Sequence, residues 1–359
     1  MNLSHLDILR CPVCSSHLVG SDLEIHHSRF IVKGKLNCDN CRSTFPIINH
    51  IPRFCTSVSH PADSFGYQWN SFALSQIDNC ANTDESYIRL TSETCLSSKT
   101  VEDKTVLEVG CGAGRFLHIN LSFNPSLLVG LDVTSAVDSV FQHISPYTDN
   151  LLLVQADILS APFKQNSFDF VYSIGVLHHT PDPYLHFKYA ASYVADKGFI
   201  SVSLYENSLA HRISRNSVSL AFYDLLWSLN LLRCELYRSL FKRFPAWLQV
   251  LYCKIIIPPL HYINKVPFIR FIRYLFPSTC YNNLPLSFSI VDTMDTYATE
   301  IVHQYRAKTL FHWFTSIGCD TPYLHNSRDG WVSVSGSLRS QPIDSILSSS
   351  QPQLPASRF

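Results

Sequence analysis

Three groups of residues in this 359-residue chain carry side chains and intervals suited to binding or catalysis. The first is Val106-Leu-Glu-Val-Gly-Cys-Gly-Ala-Gly-Arg-Phe116, in which Gly110, Gly112 and Gly114 alternate after a short apolar run. A strand, a glycine-rich turn and a helix in succession open a nucleotide site, because glycine lets backbone turn sharply or lie against a ligand with no Cβ between them. The spacing is not the phosphate-cradling G-x-x-x-x-G-K-[ST], and no lysine stands there to hold a phosphate. The second is Asp132, which ends the apolar run Leu127–Asp132, 22 residues past Gly110. A carboxylate there can accept both ribose hydroxyls of a nucleoside, or it can cap the segment after Thr134. The third is His178 and His179, just past a further apolar run, Phe168–Ile174. A histidine titrates near neutrality and suits a general base, needed only where the group being modified is a weak nucleophile. Either ring could instead cap the next helix or pack against the cofactor.

The cysteines form a separate constellation. Cys11-Pro-Val-Cys14 and Cys38-Asp-Asn-Cys41 are separated by 23 residues. Two such knuckles supply four thiolates for a tetrahedral zinc ion, a structural staple for a segment too short to build a core. No thioredoxin-like βαβ pattern surrounds either pair, which argues against redox use. The chain has twelve cysteines in all, and their scatter fits a reducing compartment better than a disulfide framework, with the cytoplasm as the default.

Apolar patterning predicts the scaffold around these groups. Strands at residues 106–109, 127–132, 151–158, 168–174 and 199–205 alternate with helices at 115–124 and 184–194, and Lys197-Gly198 reads as a turn. Buried, non-alternating strands between helices imply a parallel sheet covered on both faces, an α/β doubly wound, Rossmann-like core. Residues 206–290 break this rhythm with ten Lys/Arg against three Asp/Glu and many aromatics. Prolines 245, 258, 259, 267 and 277 cut the stretch into short helices. It reads as a helical lid over the substrate mouth, or else a packing layer or dimer surface; its basic aromatic character also admits membrane-surface or nucleic-acid contact. Residues 307–317 read as a helix, and 321–325 with 330–336 as a closing hairpin. The expected organisation is 1–55 a metal-stapled unit, 56–100 a linker with covering helices, 101–205 the core, 206–290 the lid, 291–336 the rest of the core and 337–359 a disordered tail. Phe65-Gly-Tyr-Gln-Trp-Asn-Ser-Phe72 is expected to pack the first unit on the core rather than cover the cofactor.

The glycine loop and the strands after it resemble the class I S-adenosylmethionine (SAM) methyltransferases, of the type 11 kind, with their seven-stranded sheet. The resemblance implies that Glu108, Gly110, Cys111, Gly112 and Gly114 surround the methionine part of SAM. It makes Asp132 the ribose acid, with Val133 beside it. Asp157 would bond the adenine amino group with Ile158 against the ring, and Ser173 would close the site at the end of the fourth strand. Gly175-Val-Leu-His-His-Thr-Pro-Asp-Pro183 resembles the segment that borders that family's reaction site. Residues 3–54 resemble the zinc ribbon of tRNA-methyltransferase activator subunits, which makes Cys11, Cys14, Cys38 and Cys41 the zinc ligands. Asp292-Thr-Met-Asp295-Thr-Tyr297 matches a run that precedes the last helix in proteins with this fusion.

Formal net charge is zero, so no global field steers the chain to nucleic acid or membrane. There is no secretory leader pattern and no apolar run of about 20 residues. The expectation from these features is a SAM-dependent methyltransferase acting on a small-molecule or lipid-like acceptor, apolar and anionic. Nucleic acid is not expected as a partner, and peripheral membrane contact is possible in the lid. The alternatives are an RNA base methyltransferase and a non-catalytic partner protein of the same fold.

Overall fold

The computed structural model describes residues 1–55, 63–207, 220–319, 321–327 and 330–338. Most of the expected tail, residues 208–219 of the expected lid and part of the linker lie outside the described residues.

The amino-terminal unit is a four-stranded antiparallel meander, β1 (Leu18–His26), β2 (Phe30–Cys38), β3 (Thr44–Ile48) and β4 (Ile51–Pro52). Its two knuckles are built alike. Ser15 N donates to the Cys11 carbonyl and Arg42 N to that of Cys38, at 2.8 and 2.9 Å. Ser15 and Arg42 take φ of 59° and 62°, so each chain reverses just after its second cysteine. The four Sγ atoms lie within 4.8 Å of one another. Zinc–sulfur bonds of about 2.3 Å set tetrahedral ligands roughly 3.8 Å apart, so this quartet suits a structural zinc ion. All twelve cysteines are free thiols.

The core is a seven-stranded sheet of order β10-β11-β9-β8-β5-β6-β7. Its strands are β5 (Thr105–Val109), β6 (Leu127–Asp132), β7 (Leu151–Gln155), β8 (Phe168–Ile174), β9 (Val194–Tyr205), β10 (Tyr323–Leu324) and β11 (Trp331–Ser337). The first five are parallel; β11 runs antiparallel to both β9 and β10. Strand order reverses beside β5, which places a crevice at the carboxyl ends of β5, β6 and β8. β9 begins earlier than the sequence pattern indicates. Lys197-Gly198 is not a turn between elements but part of a bulge: pairing jumps from Val194 opposite Phe168 to Phe199 opposite Phe170.

The ribbon is an added layer on the β7 edge. Phe54 N donates to the Gln155 carbonyl at 2.8 Å, and Arg10 N to that of Pro162 at 2.7 Å. The Arg53 side chain, 9% exposed, spans the joint: Nη1 donates to Asp138 at 3.0 Å and to Gln155 at 2.9 Å, and Nη2 completes a bidentate pair with Asp138. Ribbon residues Leu9, Ile31 and Ile47 share one apolar cluster with Val129, Leu152 and Val154 of the sheet. The ribbon therefore covers a sheet edge that would otherwise present unpaired backbone.

The lid comprises helices Leu220–Phe241, Ala246–Ile255 and Ile257–Asn264, a tight turn at Arg270–Leu275 and helix Leu286–Ala298. Proline sets the breaks: Pro245 caps one helix, and Pro258 and Pro259 occupy the first turn of the next. The boundary expected after residue 290 moves. Leu286–Ala298 is one helix whose Val291, Met294 and Tyr297 pack with Val250, Cys253, Ile257 and Leu260 of the lid. The chain rejoins the core at residues 303–305, where His303 N donates to the His178 carbonyl and Tyr305 N to that of Tyr205. Among the described residues, no helix is long and apolar enough to cross a membrane.

Arg53→Ala should destabilise the whole chain by about 2 kcal/mol, because it strands a partly buried carboxylate. Chemical denaturation should show one cooperative transition moved to lower denaturant. Metal analysis should find one zinc per chain, and its chelation should make the protein aggregate through the uncovered β7 edge.

Candidate active site

The glycine loop is stitched to the tip of β6. Gly110 N and Cys111 N both donate to the Leu131 carbonyl, at 2.7 and 3.0 Å. Gly112 N donates to Asp132 Oδ2 at 2.8 Å, while Thr134 N and its hydroxyl donate to Oδ1 at 2.8 and 2.7 Å. Gly110 has φ +79°, and a Cβ there would sit 2.4 Å from Val176. Gly112 has φ +50°, and its missing Cβ would point at the Trp69 indole 3.6 Å away. Backbone and ring thus face each other across a gap that a side chain would narrow.

That gap is one end of a cavity of about 740 Å³. Phe65, Trp69, Gly110, Cys111, Gly112, Asp132, Val133, Asp157 and Ile158 line this end. His179, Tyr205, Arg238, Tyr281, Asp292 and Asp295 line the cavity as well, the His179 ring 5.3 Å from that of Phe65. Phe65 and Trp69, expected only to pack, are cavity walls. Cys111 contributes backbone; its thiol is buried beside Gly130, and burial pushes its pKa up. Gly114 does not line the cavity. It starts the next helix at φ +80°, tight against Val140. Ser173 is likewise outside, donating to the Val109 carbonyl at 2.9 Å.

Glu108 lies under the loop, 3% exposed, and takes a 2.6 Å hydrogen bond from Tyr172, whose hydroxyl in turn takes one from Asn120 at 2.7 Å. Burial raises its pKa to about 8, against the lowering effect of Tyr172.

The two histidines part company. His178 is fully buried, its ring 4.0 Å from that of Tyr205 and 5.8 Å from that of Trp331, and it does not line the cavity. His179 does. Its Nδ1 lies 2.9 Å from the Ile301 carbonyl, an acceptor only, so Nδ1 carries the proton. Nε2 is then the unprotonated nitrogen, buried and without a hydrogen-bond partner among the described residues. Burial holds the pKa below the ordinary value, with Asp295 opposing.

A chain of side chains missed by sequence reading runs along the cavity wall. Arg115 Nη1 donates to Gln76 Oε1 at 2.8 Å, Gln76 Nε2 to Asp292 Oδ1 at 2.8 Å, and Tyr281 to Asp292 Oδ2 at 2.6 Å. Beside it Tyr205 donates to Asp295 at 2.9 Å. The Asp292 and Asp295 spacing was visible in the sequence; the partners, far apart in the chain, were not.

Residues 107–202 match a family described as "Methyltransferase domain". The core is a methyltransferase domain. Residues 2–49 match a family described as "Trm112p-like protein". A tRNA U34 carboxymethyltransferase of Nautilia profundicola is 31% identical over 84 residues, 23% of this chain and 28% of that protein. The protein of the same name from Helicobacter pylori strain P12 is 28% identical over 116 residues, 31% of this chain and 43% of that one. The chain thus spans less than half the length of these curated relatives. A solved complex of a Trm112 methyltransferase activator with a methyltransferase from Haloferax volcanii is similar at 21% identity, over 42% of this chain and 63% of that one, with a TM-score of 0.35.

The relatives' names overturn two expectations from composition, the small-molecule or lipid-like acceptor and the absence of a nucleic-acid partner. Net charge was the wrong gauge. It averages over the chain, whereas RNA contact depends on local charge, and residues 206–290 are strongly basic within a neutral whole.

The cavity's loop end fits SAM on its own features. Gly112 brings bare backbone under an indole that a Cβ would touch, three carboxyl groups (Glu108, Asp132 and Asp157) line the wall, and the aromatic rings of Phe65 and Trp69 suit a cationic nucleoside.

Calorimetry with S-adenosylhomocysteine should show roughly 10–100-fold weaker binding for Asp132→Ala, since the loss removes both a ligand acceptor and the anchor of the loop. A second test concerns Glu108. Its folded pKa is raised, so its contribution to apoprotein stability is complete below the ordinary value of 4.5 and is lost as pH rises through about 8. The melting temperature of Glu108→Gln relative to wild type should therefore rise between pH 5 and pH 9.

Proposed function

We propose that this chain is a SAM-dependent methyltransferase that modifies a nucleobase of RNA, with tRNA as the substrate class, in the cytoplasm. The observation that carries the reading is the local likeness of the core to tRNA U34 carboxymethyltransferases. The basic, aromatic lid beside the cavity supports it, because lysine and arginine pair with phosphates and aromatic rings stack on bases. The free state of all twelve cysteines accords with a reducing compartment.

Bound SAM supplies an activated methyl group on a sulfonium. The protein's tasks are to orient donor and acceptor, exclude water and remove a proton. Asp132 holds the loop and accepts from the nucleoside. Phe65 and Trp69 roof the donor end. Tyr205, Tyr281, Asp292 and Asp295 present a polar wall to the acceptor base. His179 Nε2 takes the acceptor's proton, its tautomer set by the Ile301 carbonyl. His178 packs the floor beneath it.

Incubation of the zinc-loaded protein with methyl-labelled SAM and unfractionated tRNA should label the RNA, and nuclease digestion should return the label on one nucleoside. Absence of transfer to RNA by protein that binds S-adenosylhomocysteine would refute the RNA reading. His179→Gln should lower kcat by about 10²-fold or more with cofactor affinity kept. Because burial lowers the His179 pKa, the wild-type rate should be lost only on acidification below about pH 6.5, and that acid limb should vanish in the variant.

A further inference from the structure

A second cleft, of about 610 Å³, opens on the lid beside the reaction cavity. Tyr281 lines both. The other walls include Arg270, Phe271, Arg273, Tyr274 and Asn282, and no Asp or Glu lines the cleft. In a chain whose charges cancel overall, an acid-free cleft with two arginines is a local positive site.

Its parts are held in place. Arg273 Nη1 donates to the Cys280 carbonyl at 2.8 Å and Nη2 to the Tyr274 hydroxyl at 2.7 Å. The Tyr274 ring is flanked by two guanidinium groups, Arg273 at 4.6 Å and Arg233 at 5.1 Å from its centroid. Asn282 is fixed by Asn264 Nδ2 at 2.6 Å. Arg270 is exposed and makes no ion pair among the described residues, and Phe271 is 60% exposed. Phe268 and Leu275 beside it are also exposed, so Phe271 belongs to a clustered apolar patch of the kind that marks an interaction site rather than being a lone surface ring. Arg270 and Phe271 together suit a ligand with both a flat apolar face and a negative charge.

The shared wall gives the cleft a direction. Tyr281 is bonded to Asp292, and through Gln76 to Arg115 at the start of the helix that leaves the glycine loop. A polymer lying in the cleft would pass Tyr281 as its next unit entered the cavity.

We propose that this cleft binds the single-stranded RNA segment flanking the nucleotide that enters the reaction cavity, with Arg270 on a phosphate, Arg273 adding fixed positive charge to the wall, and Phe271 stacking on a base. The proposal rests on the RNA reading above. The charge and rings select one unstacked segment rather than a base sequence, so retention depends on salt and tolerates sequence change.

The test uses full-length, zinc-loaded protein with three probes: unfractionated tRNA, a fluorescent oligouridylate and phosphatidylglycerol vesicles. Arg270→Ala should weaken retention of both RNAs about 10-fold at physiological salt and lower the slope of log affinity against log salt by about 1. Phe271→Ala should weaken it by a similar factor with the slope unchanged. Both should raise KM for tRNA while kcat and S-adenosylhomocysteine affinity stay at wild-type values; intact cofactor binding also reports that the variants are folded. If wild type labels tRNA but the variants retain and label it equally well, the cleft assignment is wrong and the RNA reading stands. If wild type binds S-adenosylhomocysteine yet neither retains nor labels tRNA, the RNA reading fails and the cleft with it. Vesicle binding that Phe271→Ala abolishes, with RNA retention unaffected, would overturn the proposal in favour of a lipid surface.

Discussion

The site depends on one carboxylate. Asp132 ends a buried strand and divides its two oxygens between neighbouring segments, Gly112 N on one and Thr134 on the other. This draws the glycine loop against the tip of β6 and holds three consecutive turns in a shape they would not keep alone. Gly110 N and Cys111 N find the Leu131 carbonyl of β6, but Gly112 N is left to Asp132, and an unpaired amide in a buried site is costly. The anion thus satisfies loop donors and, by the same geometry, presents the edge against which a nucleoside is read.

The loop in turn needs the sheet behind it. Glu108 is on β5 directly opposite Tyr172 on β8. Their hydrogen bond sits where two parallel strands diverge, at the reversal of strand order. Burying a carboxyl group there has a cost, met in part by the phenol and by the group's remaining protonated in the absence of a cation. A site that carries a neutral acid without ligand and gains from its ionisation when a positive group arrives has an electrostatic preference built into its floor.

The additions to the core do different jobs. The ribbon has a four-cysteine quartet suited to zinc and shares its few apolar residues with the sheet, and it covers the β7 edge through Arg53 and Phe54. The lid instead builds an apolar cluster that takes in Phe72 and has the cavity wall Trp69 packed on it, and it adds polar contacts at the cavity, Gln76 to Asp292 and Tyr205 to Asp295.

Much of this was legible in the chain itself. The strand, loop and helix around Gly110, the acids at strand tips and the cysteine knuckles are local patterns, since strand periodicity, turn chemistry and metal-ligand spacing act over a few residues. Their order along the chain also determined the sheet topology, because parallel crossovers allow few alternatives. Contacts between residues distant in sequence settled the rest, and those exist only once the chain is folded. His178 and His179 are neighbours with one chemistry, yet only His179 faces the cavity, because the Ile301 carbonyl, 122 residues on, holds it there. Phe65 and Trp69 became cavity walls, Trp69 packing on the lid cluster as well, and Lys197-Gly198 became a bulge rather than a turn. Gly114 and Ser173, expected at the cofactor, went to packing and to a strand hydrogen bond. Net charge gave no warning of the basic lid beside the cavity, since a sum over residues carries no information about where the fold will gather them.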